Sequence, residues 1–218
     1  MAFPFGYGLS YTTFAYSNLK VTKTDDRHYD VSVDVTNTGA QYSGKESVQV
    51  YVSKPYGDYA KEKQIQVPSV ELVNFGKTDV LAPGQTQTLT ITVDEKLFAS
   101  YDVYGAGTYV LMPGTYYLTA AANAHQAVNN ILMAKGADPE RMVGTGDATM
   151  TYSVTLQLDA EKYSVSDATG NEIHNLFDYA DMNRYEGRGD NSVQYYDRSN
   201  WAGTVSLDRE NGRPVLTA

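Results

Sequence analysis

The strongest constraint on this chain is a period of two. Between residues 29 and 36 apolar and polar side chains alternate without a break, Tyr29, Val31, Val33 and Val35 against Asp30, Ser32, Asp34 and Thr36. Successive side chains of a strand point to opposite faces, so this spacing predicts a strand with one face buried and the other wet. The rhythm returns at Val48, Val50 and Val52, at Leu89, Ile91 and Val93 among threonines, along 115–121, and at Tyr152, Val154, Leu156 and Leu158. Turn residues separate the runs: Asn37-Thr38-Gly39, Lys54-Pro55, Ala82-Pro83-Gly84 and Pro113-Gly114. Short strands between Gly and Pro turns, with little helix, predict an all-β antiparallel sandwich.

The period changes near residue 123. Asn123 and Gln126 have the spacing of a capping box, with Asn in the place of the usual Ser or Thr. Ala127, Val128, Ile131 and Leu132 then share one helical face, and Gly136 stands at the C-terminal end. Asp138-Pro139 is suited to open a further short helical turn. From about residue 175 the chain is polar and rich in Gly, Asn and Tyr, without a clear period, which predicts an extended linker. The expected organisation is a β-sandwich over 1–122, a helix with an extra strand or hairpin over 123–174, and a linker over 175–218.

Charge narrows the partners. Seventeen Lys and Arg stand against 26 Asp and Glu, a formal net charge of -9. Nucleic-acid binding needs clustered cations that displace counterions, so no nucleic-acid partner is expected. An anionic membrane is disfavoured for the same reason, and no apolar run is long enough to span one. The chain has no cysteine, which excludes thiol catalysis, zinc–thiolate sites and disulfides. Residues 1–6 have neither the basic region nor the apolar stretch of a signal peptide. Together with the lack of cysteine, this favours a cytoplasmic setting.

With the strands and turns placed, a family resemblance is visible. The segment Phe3-Pro4-Phe5-Gly6-Tyr7-Gly8-Leu9-Ser10-Tyr11-Thr12-Thr13-Phe14 resembles the opening of the fibronectin type III-like domain of family 3 glycoside hydrolases of the β-glucosidase type. Val33–Gly39, then Gly44-Lys45-Glu46 with Val48–Val52, then Glu71–Thr78 with Leu81–Gly84, follow in the family's order. The resemblance implies an immunoglobulin-like sandwich that braces and positions the catalytic domains of a parent enzyme acting on terminal β-linked glucosyl residues with retention. Ala124–Leu132 and Ser199–Thr204 are similar to members with a permuted order, an α/β sandwich domain first and the barrel last. The implied partners are those two domains of the same parent chain. In the family the nucleophile is a barrel Asp, and neither that motif nor that of the acid/base Glu is present. No catalytic residue is therefore expected here, and no cofactor or metal.

The chemistry-bearing side chains agree with a non-catalytic reading. A glycosidase needs two carboxylates facing each other across the scissile bond. The pairs Asp25/Asp26 and Asp178/Asp181 stand in polar stretches where solvated acids are the norm. His28, His125 and His174 lack metal-type spacing, and His125, just inside the capping box, suggests a structural use. No Gly-x-Ser-x-Gly elbow occurs, and Gly105-Ala106-Gly107 lacks the strand-then-helix setting of a dinucleotide loop. Arg188-Gly189-Asp190 imitates an adhesive loop but is composed of ordinary linker residues. Among the late aromatics Tyr185, Tyr195, Tyr196 and Trp201, the residues Tyr195, Tyr196 and Trp201 are the candidate carbohydrate contacts, because sugars stack on aromatic faces. Anchoring of the linker onto neighbouring domains accounts for the same rings. The alternative function is a carbohydrate-binding module that works through exposed tyrosines.

Overall fold

The computed structural model describes residues 3–180, with the backbone of two short strands beyond them. Two antiparallel sheets carry the fold. The first is formed by β1 (Phe14–Lys23), β2 (His28–Asn37) and β5 (Thr86–Asp94), in that order. The second has the order β4 (Glu71–Lys77), β3 (Ser47–Ser53), β8 (Gly114–Ala121), β9 (Thr151–Leu156). A five-residue helix, α1 (Asp58–Glu62), follows β3. A two-residue pair, β6 (Ser100–Tyr101) and β7 (Tyr109–Val110), follows β5. A second α-helix, α2 (Ala124–Ala134), connects β8 to β9. Farther on, β10 (Ser206–Asp208) pairs antiparallel with β11 (Arg213–Val215).

The alternation in β2 sets the first sheet. Tyr29, Val31, Val33 and Val35 are buried, and register places Val31 opposite Ile91 and Tyr29 opposite Val93. On the outer face the polar residues form a cross-strand ladder: Thr36 Oγ1 with Thr86 Oγ1 at 2.7 Å, and Thr92 donating to Asp30 at 2.6 Å. Val48, Val50, Val52, Leu118 and Ala120 of the second sheet complete the core. At one end of it three aromatic rings follow one another, Tyr29 to Phe98 at 5.5 Å and Phe98 to Tyr116 at 5.7 Å between centroids.

The second sheet corrects the expectation of one wet face per sheet. Every residue of β3 after Ser47 is buried, Gln49, Tyr51 and Ser53 included. The outer side of β3 is covered because Ala127 of α2 packs there with Tyr51 and Ala121. Polar atoms on that side are paired within it: Gln49 donates to Ala122 O at 2.9 Å and accepts from the Tyr51 hydroxyl.

The helix starts where its caps dictate. Asn123 Oδ1 accepts the N–H of Gln126 at 2.9 Å, and Gln126 Oε1 reaches back to the N–H of Ala122 at 2.9 Å. Gly136, at φ +76°, ends it in the left-handed region. Ala127 and Ile131 are buried, with Val128 and Leu132 half-buried beside them. Asn129 and Asn130 are also buried. Asn129 donates to Val143 O at 2.9 Å, and Asn130 Oδ1 accepts from Asp147 N at 2.9 Å, which fastens the 143–147 loop to the helix. Of the strand expected at 151–158, Thr151–Leu156 forms as β9 and joins the main sheet beside β8, with Thr119 opposite Thr151.

Candidate functional site

Two carboxylates of the described residues are buried, Glu95 and Asp102. Glu95 begins the 3-10 turn after β5, a turn capped by Asp94, whose side chain accepts from Lys96 N at 2.9 Å. Four side chains converge on it. Lys23 of β1 donates at 2.9 Å and Tyr29 of β2 at 3.1 Å to Oε1, while Lys162 at 2.6 Å and Tyr163 at 3.1 Å donate to Oε2. The last two arrive because Asp159 bridges to Leu111 and accepts the N–H groups of Glu161 and Lys162 at 2.9 and 3.0 Å, turning the chain inward.

Electrostatics match that geometry. Burial pushes the Glu95 carboxyl up, but the hydrogen bonds and charges of Lys162 and Lys23 outweigh it, and the acid ends below the usual glutamate range. Burial, and then the Glu95 charge, push the Tyr29 and Tyr163 hydroxyls up, so both phenols donate. Outside this buried layer lies an exposed ion cluster. Arg27 contacts Asp167 through two nitrogens at 3.1 and 3.0 Å and Asp94 at 3.0 Å, and Lys96 meets Asp167 at 2.9 Å. The bonds from Arg27 and Lys96 hold the Asp167 carboxyl at about 2.

All four donors to this buried carboxylate are side chains of the chain itself. Glu95 joins β1, β2, the end of β5 and the segment after β9 into one knot. Asp102 has a similar use in the turn between β6 and β7. Its Oδ2 accepts from Tyr59 at 2.7 Å and from Ala106 N at 2.8 Å, and a Cβ on Gly105 would stand 2.3 Å from that oxygen. Its Oδ1 is buried without a hydrogen bond among the described residues. The glycine pair 105 and 107 therefore serves an Asp-centred turn.

Tyr185, Tyr195, Tyr196, Trp201, Asp181 and Arg188-Gly189-Asp190 lie outside the described residues, and so does the side chain of Asp178. Asp25 caps the turn into β2. It accepts the N–H groups of Arg27 and His28 at 2.7 and 2.8 Å, and the Arg27 bond, followed by the His28 ring, holds its carboxyl below the usual aspartate range. Asp26 pairs with Lys162 at 3.3 Å. His125 Nε2 lies 2.6 Å from Val143 O, a tie between α2 and the following loop, and His174 is exposed. Among the described residues no group of three or more His, Asp or Glu is placed to hold a metal. Sequence reasoning missed Glu95. Its neighbours in the chain, Asp94 and Lys96, make it look like part of a solvated charge run, and its partners lie 66–72 residues away.

Residues 46–124 match the family model of the fibronectin type III-like domain. A β-glucosidase of Kluyveromyces marxianus is 39% identical over 124 residues, which is 57% of this chain and 14% of the relative. A β-glucosidase of Ruminococcus albus is 42% identical over 129 residues, covering 57% of this chain and 13% of the relative. Among solved structures, the GH3 β-glucosidase of Bifidobacterium adolescentis superposes with a TM-score of 0.53 at 26% identity, over 76% of this chain and 20% of that one. The matched stretch thus spans about one seventh of the length of these curated relatives. This chain carries a fibronectin type III-like domain. Over that domain and its flanks the chain is similar to a minor part of these longer β-glucosidases.

Proposed function

We propose that this chain is a non-catalytic structural unit of a family 3 β-glucosidase, bracing its catalytic domains and setting their relative position. The observation that carries this reading is the Glu95 knot. The carboxylate with the chemical setting most unlike a surface acid is saturated by Lys23, Tyr29, Lys162 and Tyr163, all of which hold the sandwich together. A rigid unit of this kind suits a brace, since small misplacements of catalytic groups are costly in rate. The relatives are longer chains of which the matched unit is a minor part. On this reading the partners are an α/β sandwich domain and a barrel of the same polypeptide, in the permuted order, with residues 175–218 leading toward the barrel. The parent reaction is retaining hydrolysis of terminal β-linked glucosyl residues.

The test is complementation. The separately expressed remainder of the parent polypeptide is assayed on an aryl β-glucoside with and without this chain. Turnover that rises on mixing is expected. A remainder that is fully active without the chain, and unchanged by it, contradicts the brace.

A further inference from the structure

The segment from Phe3 to Tyr11 is built inside out. Its backbone is fastened to the sandwich. Phe5 O accepts the N–H of Ala124 at 2.9 Å, and Tyr7 N donates to Pro4 O at 3.1 Å to close a turn. Gly6, at φ +84°, presses on the sheet so closely that a Cβ there would stand 2.3 Å from Gln49 Nε2 and 2.9 Å from Ala122 O. At the far end the buried Thr12 donates to Asn37 Oδ1 at 2.5 Å.

The side chains carried by this fixed backbone point to solvent. Leu9 and Tyr11 are 91% and 93% exposed, and Phe3, Phe5, Tyr7 and Tyr42 are each more than half exposed. They are arranged as two aromatic pairs, Phe3 with Tyr7 at 4.7 Å and Tyr11 with Tyr42 at 6.0 Å, with Leu9 in the stretch between Tyr7 and Tyr11. Single exposed apolar side chains are ordinary, but a clustered ridge of this kind marks an interaction surface. The close approach of Gly6, the Phe5–Ala124 bond and the Thr12–Asn37 bond tie the two ends of the segment to the sandwich.

Charge identifies the occupant. From residue 1 to residue 19 the sequence contains no Asp, Glu, Lys, Arg or His, in a chain that is 20% Asp, Glu, Lys and Arg. Interface cores are depleted in charge and enriched in Tyr and Phe, as this ridge is. A second copy of the chain would bring together two bodies of formal charge -9, which repel. The relatives that carry the unit devote about six sevenths of their length to other material. A domain in the same polypeptide meets the ridge at high effective concentration.

We propose that the Phe3–Tyr11 ridge, with Tyr42, is the face on which the unit docks against an uncharged apolar surface of a neighbouring domain of the same polypeptide. This deepens the brace reading and rests on it. The test compares affinities for the separately expressed remainder of the parent. The Leu9→Asp/Tyr11→Asp variant is set against a control, Phe75→Asp, at an exposed ring on β4. The ridge variant is expected to bind about 30-fold more weakly or worse, as a hot-spot loss would, with the control within about 3-fold of the parent protein. An unchanged unfolding midpoint shows that the ridge variant is folded, and Leu9→Ser serves if the double variant is not. If the unsubstituted chain binds and the ridge variant binds equally well, the ridge assignment is overturned and the brace survives. If the unsubstituted chain does not bind at all, the brace itself fails. Self-association that the ridge substitutions abolish, without binding to the remainder, would assign the face to a second copy and overturn the proposal.

Discussion

The Glu95 knot and the Phe3–Tyr11 ridge are opposites in the same small molecule. At the knot, ionised and polar groups are buried and each carboxylate oxygen is satisfied twice. At the ridge, large apolar side chains stand in solvent on a segment tied to the sandwich at Phe5 and Thr12. A polar group is costly inside unless it is paired, and an apolar group is costly outside unless it is covered. The knot meets its condition within the chain, and the ridge does not. The difference teaches that the knot is complete within the chain, whereas the ridge, on the docking proposal, takes its cover from outside it.

The largest expected effect comes from breaking the knot. Glu95→Ala leaves Lys23 and Lys162 without their shared partner and two buried phenols without an acceptor. Removing one member of a buried charged group costs roughly 3–5 kcal/mol. The unfolding free energy from urea titration should fall by about that amount. A loss of a few tenths of a kcal/mol, of the order seen for ordinary surface substitutions, would mean that the knot is slack.

Acid sharpens the comparison. The folded-state Glu95 carboxyl lies below its ordinary value of 4.5. Below that value the unfolded chain binds the proton more readily, so stability rises with pH. The contribution is full above about 4.5 and is lost as pH falls through the lower folded value. Asp167, held at about 2 by Arg27 and Lys96, acts with the same sign, and its exposure lets solvent screen it. Glu46 acts in the opposite sense, because burial raises it despite the bond from Tyr16. Unfolding midpoints between pH 6 and pH 3 should therefore decline, and Glu95→Ala should remove part of the slope. An unaltered slope would separate the acid response from the knot.

The smallest effect is expected at the ridge. Leu9→Ser removes a side chain that touches almost nothing in the isolated chain, so its unfolding free energy should stay within about 0.5 kcal/mol of the parent protein. A larger loss would show that Leu9 is covered from within.

What the sequence made legible follows the same division. The strands at 29–36, 48–52 and 88–93 announced themselves because burial on one face imposes a period of two. Asn123 and Gln126 marked the start of α2 because a cap is a local device. β1 escaped notice for a physical reason. Its apolar residues Phe14 and Tyr16 keep one phase and Leu19 and Val21 the other, because a bulge at Asn18, φ +55°, shifts the register between Ser17 and Lys20. The pairing of β9 with β8 and the outer cover on β3 were also invisible, since periodicity reports that a face is buried and not what buries it. Glu95 was hidden for the same reason, as nothing near it in the chain names Lys23 or Lys162. The aromatic candidates Tyr195, Tyr196 and Trp201 lie outside the described residues and remain proposals of the sequence.

The most direct test of the central claim is turnover of an aryl β-glucoside by this chain alone, freed of host enzyme and run beside Glu95→Gln. No hydrolysis above the uncatalysed rate is expected from either protein. Hydrolysis by the unsubstituted chain that disappears in Glu95→Gln while the variant stays folded would contradict it, and would make the buried carboxylate a catalytic group rather than the tie that holds the sandwich.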